Sequence, residues 1–205
     1  MIALATLLLA LAPVPRASLV GTYEIRQMEM AGGLELRRDG HFRYAFTYGA
    51  LDEEAAGSWT FDGKAVRLTS DPMPKSPSFE LLRDDPAPRG ELYLKLEDPG
   101  FEWGHPLSAL ATDMKKEFEI EASEDGHVDL KGKPPVVAIA PLIPVYGPTR
   151  DSFTLASDRG HRLLFRFHQN DLGKAAFKDE PLEVSSKGLL MNRYDSQIRF
   201  MRVRP

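Results

Sequence analysis

RRDGHFRYAFTYGALDEEAAGSW, residues 37 to 59, is the stretch that decides the fold class. Four aromatic residues alternate with other residue types in it, at Phe42, Tyr44, Phe46 and Tyr48. Because successive side chains of a β-strand point to opposite faces, these four rings share one face. An Asp-Gly pair precedes them and is typical of a tight hairpin turn. The stretch therefore predicts a β-hairpin with one aromatic face.

The same period of two continues on both sides of this stretch. Tyr23 and Ile25 share a face, and residues 57–70 repeat the scheme around a second Asp-Gly pair. Short strands separated by turn signals every 8 to 12 residues or so are typical of all-β sandwiches and barrels. Six strands before residue 83 and two after residue 186 give eight, the number at which an up-and-down barrel closes. We therefore predict an all-β fold in which residues 189–203 pair with the N-terminal meander.

A second series of short strands separates the two ends of the chain. Segments rich in Pro and Asp at 71–77 and 84–90 are poor candidates for strand interiors, and the second of them predicts a domain boundary. Residues 107–113 are interpreted as a strand, with a helix through Met114 as the alternative. The predicted domains are a split barrel, residues 19–88 with 178–205, and an inserted β-sandwich, residues 89–177.

Two resemblances follow from the order of these motifs. Gly-Thr-Tyr at 21–23, the hairpins around both Asp-Gly pairs, Gly-Ser-Trp at 57–59 and the closing residues 198–202 resemble the lipocalin-like (calycin) barrels. Residues 91–139 resemble the transthyretin-like or carboxypeptidase-regulatory β-sandwich, through a strand, a Gly-x-Pro-Leu turn and an Asp-Gly hairpin. The resemblances imply a ligand-binding barrel that carries a structural or binding appendage.

The first residues predict export from the cytoplasm. The apolar run from Ile2 to Ala12 has the length of a secretory signal and is too short to span a bilayer. We predict a signal peptide over residues 1–18, with cleavage after Ala12 or Ala17; an N-terminal core strand or helix is the alternative. The chain has no Cys, which excludes a lipid anchor on Cys. The expected location is periplasmic or secreted, without a membrane anchor.

Composition excludes several kinds of chemistry. A net charge of −4 and scattered basic residues do not favour nucleic acid as a partner. Without Cys there is no thiolate nucleophile and no Cys-based zinc site. The five His residues form no local metal-binding motif, and neither a Gly-x-Ser-x-Gly elbow nor a phosphate-binding loop occurs. We therefore expect no metal, no cofactor and no enzymatic activity.

Two polar segments have a structural and a chemical interpretation. His168, Asn170 and Asp171 could supply a base and a residue that orients it, but Asp171 capping a short helix through Phe177 is preferred. The acidic run at 51–57 is interpreted as a solvated hairpin loop rather than a calcium site. His residues beside Gly, as at His161, are interpreted as solvated turn residues.

The aromatic residues are the remaining candidates for a site. Core packing is the favoured role of the rings, but a buried phenol requires a hydrogen-bond partner, which makes a cavity with polar anchors the alternative. The candidate ligand-binding residues are Tyr44, Tyr48, Phe46 and Trp59.

Three functions follow in order of preference. The first is a non-enzymatic barrel that binds a small apolar or amphipathic ligand or has a structural role. The second is an interaction module whose insertion binds a protein partner. The third and least supported is a hydrolase with a dispersed site.

Overall fold

A computed structural model describes residues 14–97, 106–149 and 151–203. The apolar run predicted to be a signal peptide lies outside the described residues. The chain divides into two compact units, Met1–Pro74 with Gly173–Pro205, and Lys75–Leu172. In the described part of the chain, no helix is long and apolar enough to cross a membrane.

The described elements are one 3-10 helix and sixteen strands. The helix is Arg16–Leu19. The strands are β1 (Gly21–Ile25), β2 (Met30–Leu36), β3 (His41–Tyr48), β4 (Leu51–Phe61), β5 (Ala65–Ser70), β6 (Ser78–Ala87), β7 (Leu92–Leu96), β8 (Ser108–Thr112), β9 (Glu117–Glu121), β10 (Ala138–Ile143), β11 (Gly147–Pro148), β12 (Phe153–Thr154), β13 (Gly160–His168), β14 (Glu180–Ser185), β15 (Gly188–Arg193) and β16 (Ser196–Arg202).

The first unit is a closed eight-stranded antiparallel barrel. Its strands follow the order β1-β16-β15-β14-β5-β4-β3-β2, and β2 pairs with β1 to complete the circle. Pairing of β16 with β1 places Phe200 opposite Ile25, as the strand count predicted. The all-β fold and the barrel formed by both chain ends are therefore confirmed.

The barrel uses five strands from before the insertion and three from after it, not six and two. Strand β6, which the prediction assigned to the barrel, pairs with β13 in the second unit. Strand β14 takes its place, because Leu182 lies opposite Val66 of β5. The apolar alternation in β14 is short and begins next to Pro181. Residues 78–83 show a similar pattern, so the sequence alone does not decide which of the two segments is the barrel strand.

One end of the barrel is covered by the 3-10 helix. Leu19 is buried there, and the Tyr23 hydroxyl donates a hydrogen bond to the Leu19 carbonyl oxygen at 2.7 Å. The Arg202 guanidinium at the end of β16 donates to the carbonyl oxygens of Ser18 and Val20. The first and last elements of the barrel are thus tied together at this end.

The second unit consists of two sheets over one hydrophobic core. The larger sheet has the order β11-β10-β8-β9 with β12 beside β10, and the smaller has the order β6-β13-β7. Ile139 and Ala111 from the larger sheet and Phe165 and Leu94 from the smaller one belong to the same buried cluster. Residues 108–112 form a strand, so the predicted strand is confirmed over the helical alternative.

Candidate functional site

The structure places three of the four predicted site residues inside the barrel. Tyr44 (3% exposed), Phe46 and Trp59 are buried, whereas Tyr48 at the end of β3 is 40% exposed. Tyr44 pairs with Ala55 on β4, and Trp59 lies four residues further along that strand. Tyr44 and Phe46 therefore belong to one region of the interior, and Trp59 to another.

Trp59 is part of the covered end of the barrel. Its indole Nε1 donates a hydrogen bond to the Arg37 carbonyl oxygen at 2.9 Å. The Arg16 guanidinium lies 4.4 Å from the centre of the Trp59 ring. These contacts give Trp59 a role in closing the barrel.

The acidic run at 51–57 is not a loop, contrary to the prediction. It is the first half of β4, and its alternation continues the inward face of Trp59. Glu53 lies on that inward face, opposite Phe46 on β3, and its side chain is only 11% exposed. Asp and Glu are depleted in β-strands, so an acidic run does not predict a strand.

Glu53 pairs with Arg193 across the barrel. The Arg193 Nη2 atom lies 3.1 Å from both carboxylate oxygens of Glu53. Strands β4 and β15 are separated in the wall by β5 and β14, so this ion pair crosses the interior. The Arg193 guanidinium also lies 4.8 Å from the Tyr194 ring centre and 5.4 Å from that of Phe177. We call Glu53, Arg193, Tyr194, Tyr44 and Phe177 the interior cluster.

Aromatic contacts hold the interior cluster together. The Tyr44 and Phe177 rings meet edge to face with centroids 5.0 Å apart, and Tyr194 stacks on Phe46 at 5.5 Å. Tyr44 also lies 6.3 Å from Phe200 of β16, a strand on another side of the barrel. The polar groups are therefore packed among aromatic rings, with Tyr194 37% exposed at the edge of the cluster.

Two buried polar atoms in the interior cluster have no hydrogen-bond partner within the described residues. They are the Tyr44 hydroxyl and the Arg193 Nε. An unsatisfied buried group of this kind costs about 1–3 kcal/mol. Nε–H is a donor, and a phenol hydroxyl can donate as well. Both atoms can therefore be satisfied by hydrogen-bond acceptors.

The environment shifts the pKa values of these side chains. Burial, together with the charge of Glu53, raises the pKa of Tyr44 far above its ordinary value. Burial and a hydrogen bond with Glu53 likewise raise the pKa of Tyr194. Burial alone would lower the pKa of Arg193, but Glu53 outweighs it and the pKa is raised. At neutral pH the phenols are neutral and the guanidinium is charged.

A surface cavity of the first unit lies on the outer face of the barrel. It has a volume of about 670 Å³, and its floor includes the small residues Gly33, Ala45 and Ala56. Pro72 and Lys174 contribute to its border. Tyr44 lines it as well, but its buried ring belongs to the interior, as the alternation of β3 requires.

The second unit contains a smaller cavity of about 430 Å³. Apolar residues, including Leu92, Val136 and Leu155, line it together with Arg159 and His161. It contains no buried polar atom without a partner among the described residues.

His161 is a structural residue. It is 4% exposed, so the prediction of a solvated turn residue was wrong. Its Nδ1 lies 2.9 Å from an Asp84 carboxylate oxygen, and its Nε2 lies 2.8 Å from the Ala156 carbonyl oxygen. Arg159 donates to the same carboxylate at 2.7 Å. Both ring nitrogens are thus engaged in holding the chain together.

His168, the possible base of the sequence analysis, contacts one carboxylate. His168 Nε2 contacts the single carboxylate of Glu80 at 2.9 Å. Among the described residues, no group of three or more His, Asp or Glu side chains could hold a metal ion.

Residues 169–172 form a turn, so the predicted short helix capped by Asp171 is absent from the described structure. The Asp171 carboxylate accepts a hydrogen bond from the Lys75 backbone amide at 2.9 Å. The Asn170 side-chain amide donates to the Ser76 carbonyl oxygen at 2.8 Å. Both polar side chains bond to backbone that is distant in sequence instead of capping a helix.

Comparisons with protein-family models, with curated proteins and with solved structures found no match for this chain. A function therefore has to follow from the side chains of the protein itself.

Proposed function

We propose that this protein is a non-enzymatic binding protein whose lipocalin-like barrel holds a small amphipathic ligand at the interior cluster. The observation that carries the proposal is the pair of buried, unpartnered polar atoms, the Tyr44 hydroxyl and the Arg193 Nε. Buried polar groups in folded proteins are nearly always satisfied. Two exceptions on side chains that both pack against the Phe177 ring favour a place where a partner binds.

The surroundings of these atoms define the ligand. The rings of Phe46, Phe177 and Phe200 are buried around Tyr44 and favour an apolar body. The Arg193 Nε–H and the Tyr44 hydroxyl favour a polar end with an acceptor oxygen. Ligand sites are typically apolar with a few well-placed polar groups.

A titration with 8-anilinonaphthalene-1-sulfonate tests this proposal, because this dye joins an aromatic body to a sulfonate acceptor. Arg193→Lys keeps a cation beside Glu53 but removes the Nε–H donor, and Tyr44→Phe removes the hydroxyl. We expect each substitution to weaken dye binding at least fivefold. The measurement is dye fluorescence as a function of protein concentration.

Matched controls separate this effect from general changes. Arg199→Lys replaces an exposed arginine that lies on the outer face of β16, and Tyr93→Phe replaces a tyrosine of the second unit. Both controls should bind the dye as the wild type does. Equal affinity of the wild type, Arg193→Lys and Tyr44→Phe, or no dye binding at all, would rule the interior cluster out as the site.

We also propose that the protein is exported and acts in the periplasm or as a secreted protein. The support is the apolar run from Ile2 to Ala12. The 3-10 helix Arg16–Leu19 packs on the barrel. Cleavage after Ala12 would keep this helix, whereas cleavage after Ala17 would remove Arg16 and its contact with the Trp59 ring. N-terminal sequencing of the native protein should find residue 13 first; an intact Met1 would contradict export.

A second candidate function is protein binding by the insertion, whose fold we propose to be transthyretin-like. The observation in its favour is that β6 is the outer strand of a three-stranded sheet, and an outer strand can pair with an extended peptide. This edge is interrupted at two places. Pro86 within β6 has no amide hydrogen to donate, and the Phe79 amide already donates to the Asp151 carboxylate. Capture of a partner from host extract that is abolished by Leu82→Pro in β6 would support this candidate.

A further inference from the structure

The barrel wall is incomplete along the first half of β4. Strand β5 ends at Ser70, which lies opposite Gly57, and the next backbone bond runs from the Asp71 amide to the Ala56 carbonyl oxygen at 3.0 Å. Residues 51–55 of β4 therefore have no partner from β5. This stretch includes Glu53 of the interior cluster, so the gap lies beside the proposed site.

Residues 173–179, which we call the strap, fill this gap. The Glu54 amide donates to the Gly173 carbonyl oxygen and the Ala175 amide donates to the Glu54 carbonyl oxygen, each at 2.9 Å. Among the described residues, Glu54 and Lys174 form an isolated bridge rather than a continuous ladder. The strap is therefore joined to β4 by two backbone hydrogen bonds, whereas β3 pairs with β4 over eight residues.

Ser70 fastens the other part of the strap. Its buried hydroxyl donates to the Ala175 carbonyl oxygen at 2.9 Å and accepts from the Phe177 amide at 3.0 Å. The Ser70 amide donates to the Phe177 carbonyl oxygen at 3.0 Å. One small side chain thus sets the position of Phe177.

Phe177 is the residue that the strap inserts into the barrel. Its ring is fully buried and contacts Tyr44 edge to face, with Phe42 at 6.0 Å and the Arg193 guanidinium at 5.4 Å. The ring therefore packs beside the two side chains that carry the unpartnered polar atoms. A ligand body that takes the place beside the Tyr44 ring has to displace Phe177.

We propose that the strap is a gate in the barrel wall, and that its release withdraws Phe177 and admits the ligand to the interior cluster. This inference rests on the proposed function and adds the route and the moving part. The strap is short and meets β4 only through an isolated bridge, and a short segment outside a continuous ladder can open locally while the rest of the fold stays intact.

An engineered disulfide tests the gate. The chain has no Cys, and Glu54 and Lys174 are exposed bridge partners, so Glu54→Cys with Lys174→Cys can lock the strap to β4. The measurement is the association rate of 8-anilinonaphthalene-1-sulfonate by stopped flow. We expect oxidation to slow association at least tenfold and reduction to restore it.

The matched control is Thr47→Cys with Asp52→Cys. These two exposed residues face each other on β3 and β4, so their disulfide links strands that are already paired. Its oxidation should change the association rate less than twofold. Equal rates for the oxidised and reduced strap variant would overturn the gate.

Hydrogen exchange tests the strap without any ligand. The amides of Glu54 and Ala175 should exchange at least tenfold faster than those of the β3–β4 ladder, and oxidation of the strap disulfide should remove the difference. Exchange as slow as in that ladder would overturn the gate. If the strap opens but neither the wild type nor Phe177→Ala binds the dye, the gate is supported as a moving part and the proposed function fails.

Discussion

Tyr44 shows which property of a site residue the sequence predicts and which it does not. Its position in an alternating aromatic strand predicted burial, and the side chain is buried. The expected hydrogen-bond partner is missing within the described residues, and no pattern in the chain could have revealed that. Whether a buried hydroxyl is satisfied depends on side chains from other strands, here Arg193 and Phe177.

We predict that Tyr44→Phe stabilises the protein without ligand by about 1 kcal/mol, because it removes a buried hydroxyl without orphaning a partner. Tyr48→Phe should change stability by less than about 0.5 kcal/mol, because Tyr48 is 40% exposed. The measurement is the free energy of unfolding from urea denaturation of the purified protein. A loss of 1 kcal/mol or more in Tyr44→Phe would mean that the hydroxyl has a partner.

Strand β4 was predicted only in part from the sequence. Its second half, with Trp59 and Phe61, alternates clearly and was predicted. Its first half carries Asp52, Glu53 and Glu54, which favour solvent, so the strand was expected to begin later. Burial of Glu53 is stable because Arg193 reaches it from β15, and a pair so distant in sequence leaves no local signal.

The turn between β4 and β5 was predicted from its Asp-Gly pair, and its geometry gives a pH dependence. The Asp62 carboxylate accepts hydrogen bonds from the Ala65 and Lys64 amides, each at 2.8 Å, and from Arg67 at 3.0 Å. These bonds lower the pKa of Asp62 to about 2. Because the folded pKa lies below the ordinary value, the stabilisation is present above about pH 4 and is lost as the pH falls toward 2.

We therefore predict that the melting temperature falls between about pH 4 and pH 2 and that Asp62→Asn weakens this dependence. Asp158→Asn, at an exposed position in the second unit, is the control and should keep the wild-type profile. Melting followed by circular dichroism across this pH range is the measurement. Identical profiles for the wild type and Asp62→Asn would contradict the role of the turn.

At the scale of the whole molecule, the split barrel was predictable because a final hairpin needs a partner and the first meander leaves an open edge. It was not predictable that β14 rather than β6 is the barrel strand beside β5, since both segments have similar short apolar patterns. The buried position of Phe177 was not predictable either, because residues 173–179 fill the gap that is left where β5 ends. The sequence predicted a helix over that segment, and the structure has a strap.

We predict that the barrel folds without the insertion. Lys75 and Asp171 exchange two hydrogen bonds, one between the Asp171 amide and the Lys75 carbonyl oxygen at 3.1 Å and one from the Lys75 amide to the Asp171 carboxylate. Because these hydrogen bonds join the two residues directly, a short Asn-Gly turn can replace residues 76–170. The shortened protein should unfold cooperatively and keep a β-type circular dichroism spectrum; a chain without a cooperative transition would contradict an independent barrel.

The central claim is that the Arg193 Nε and the Tyr44 hydroxyl bind the polar end of a ligand inside the barrel. The most direct test is the ¹H–¹⁵N spectrum of the arginine Nε–H groups, in which Arg193→Lys identifies the Arg193 signal. Addition of 8-anilinonaphthalene-1-sulfonate should shift the Arg193 signal in the wild type, shift it less in Tyr44→Phe, and leave that of Arg199 in place. An unchanged Arg193 signal at a dye concentration that saturates the fluorescence, or the absence of any bound dye, would contradict the claim.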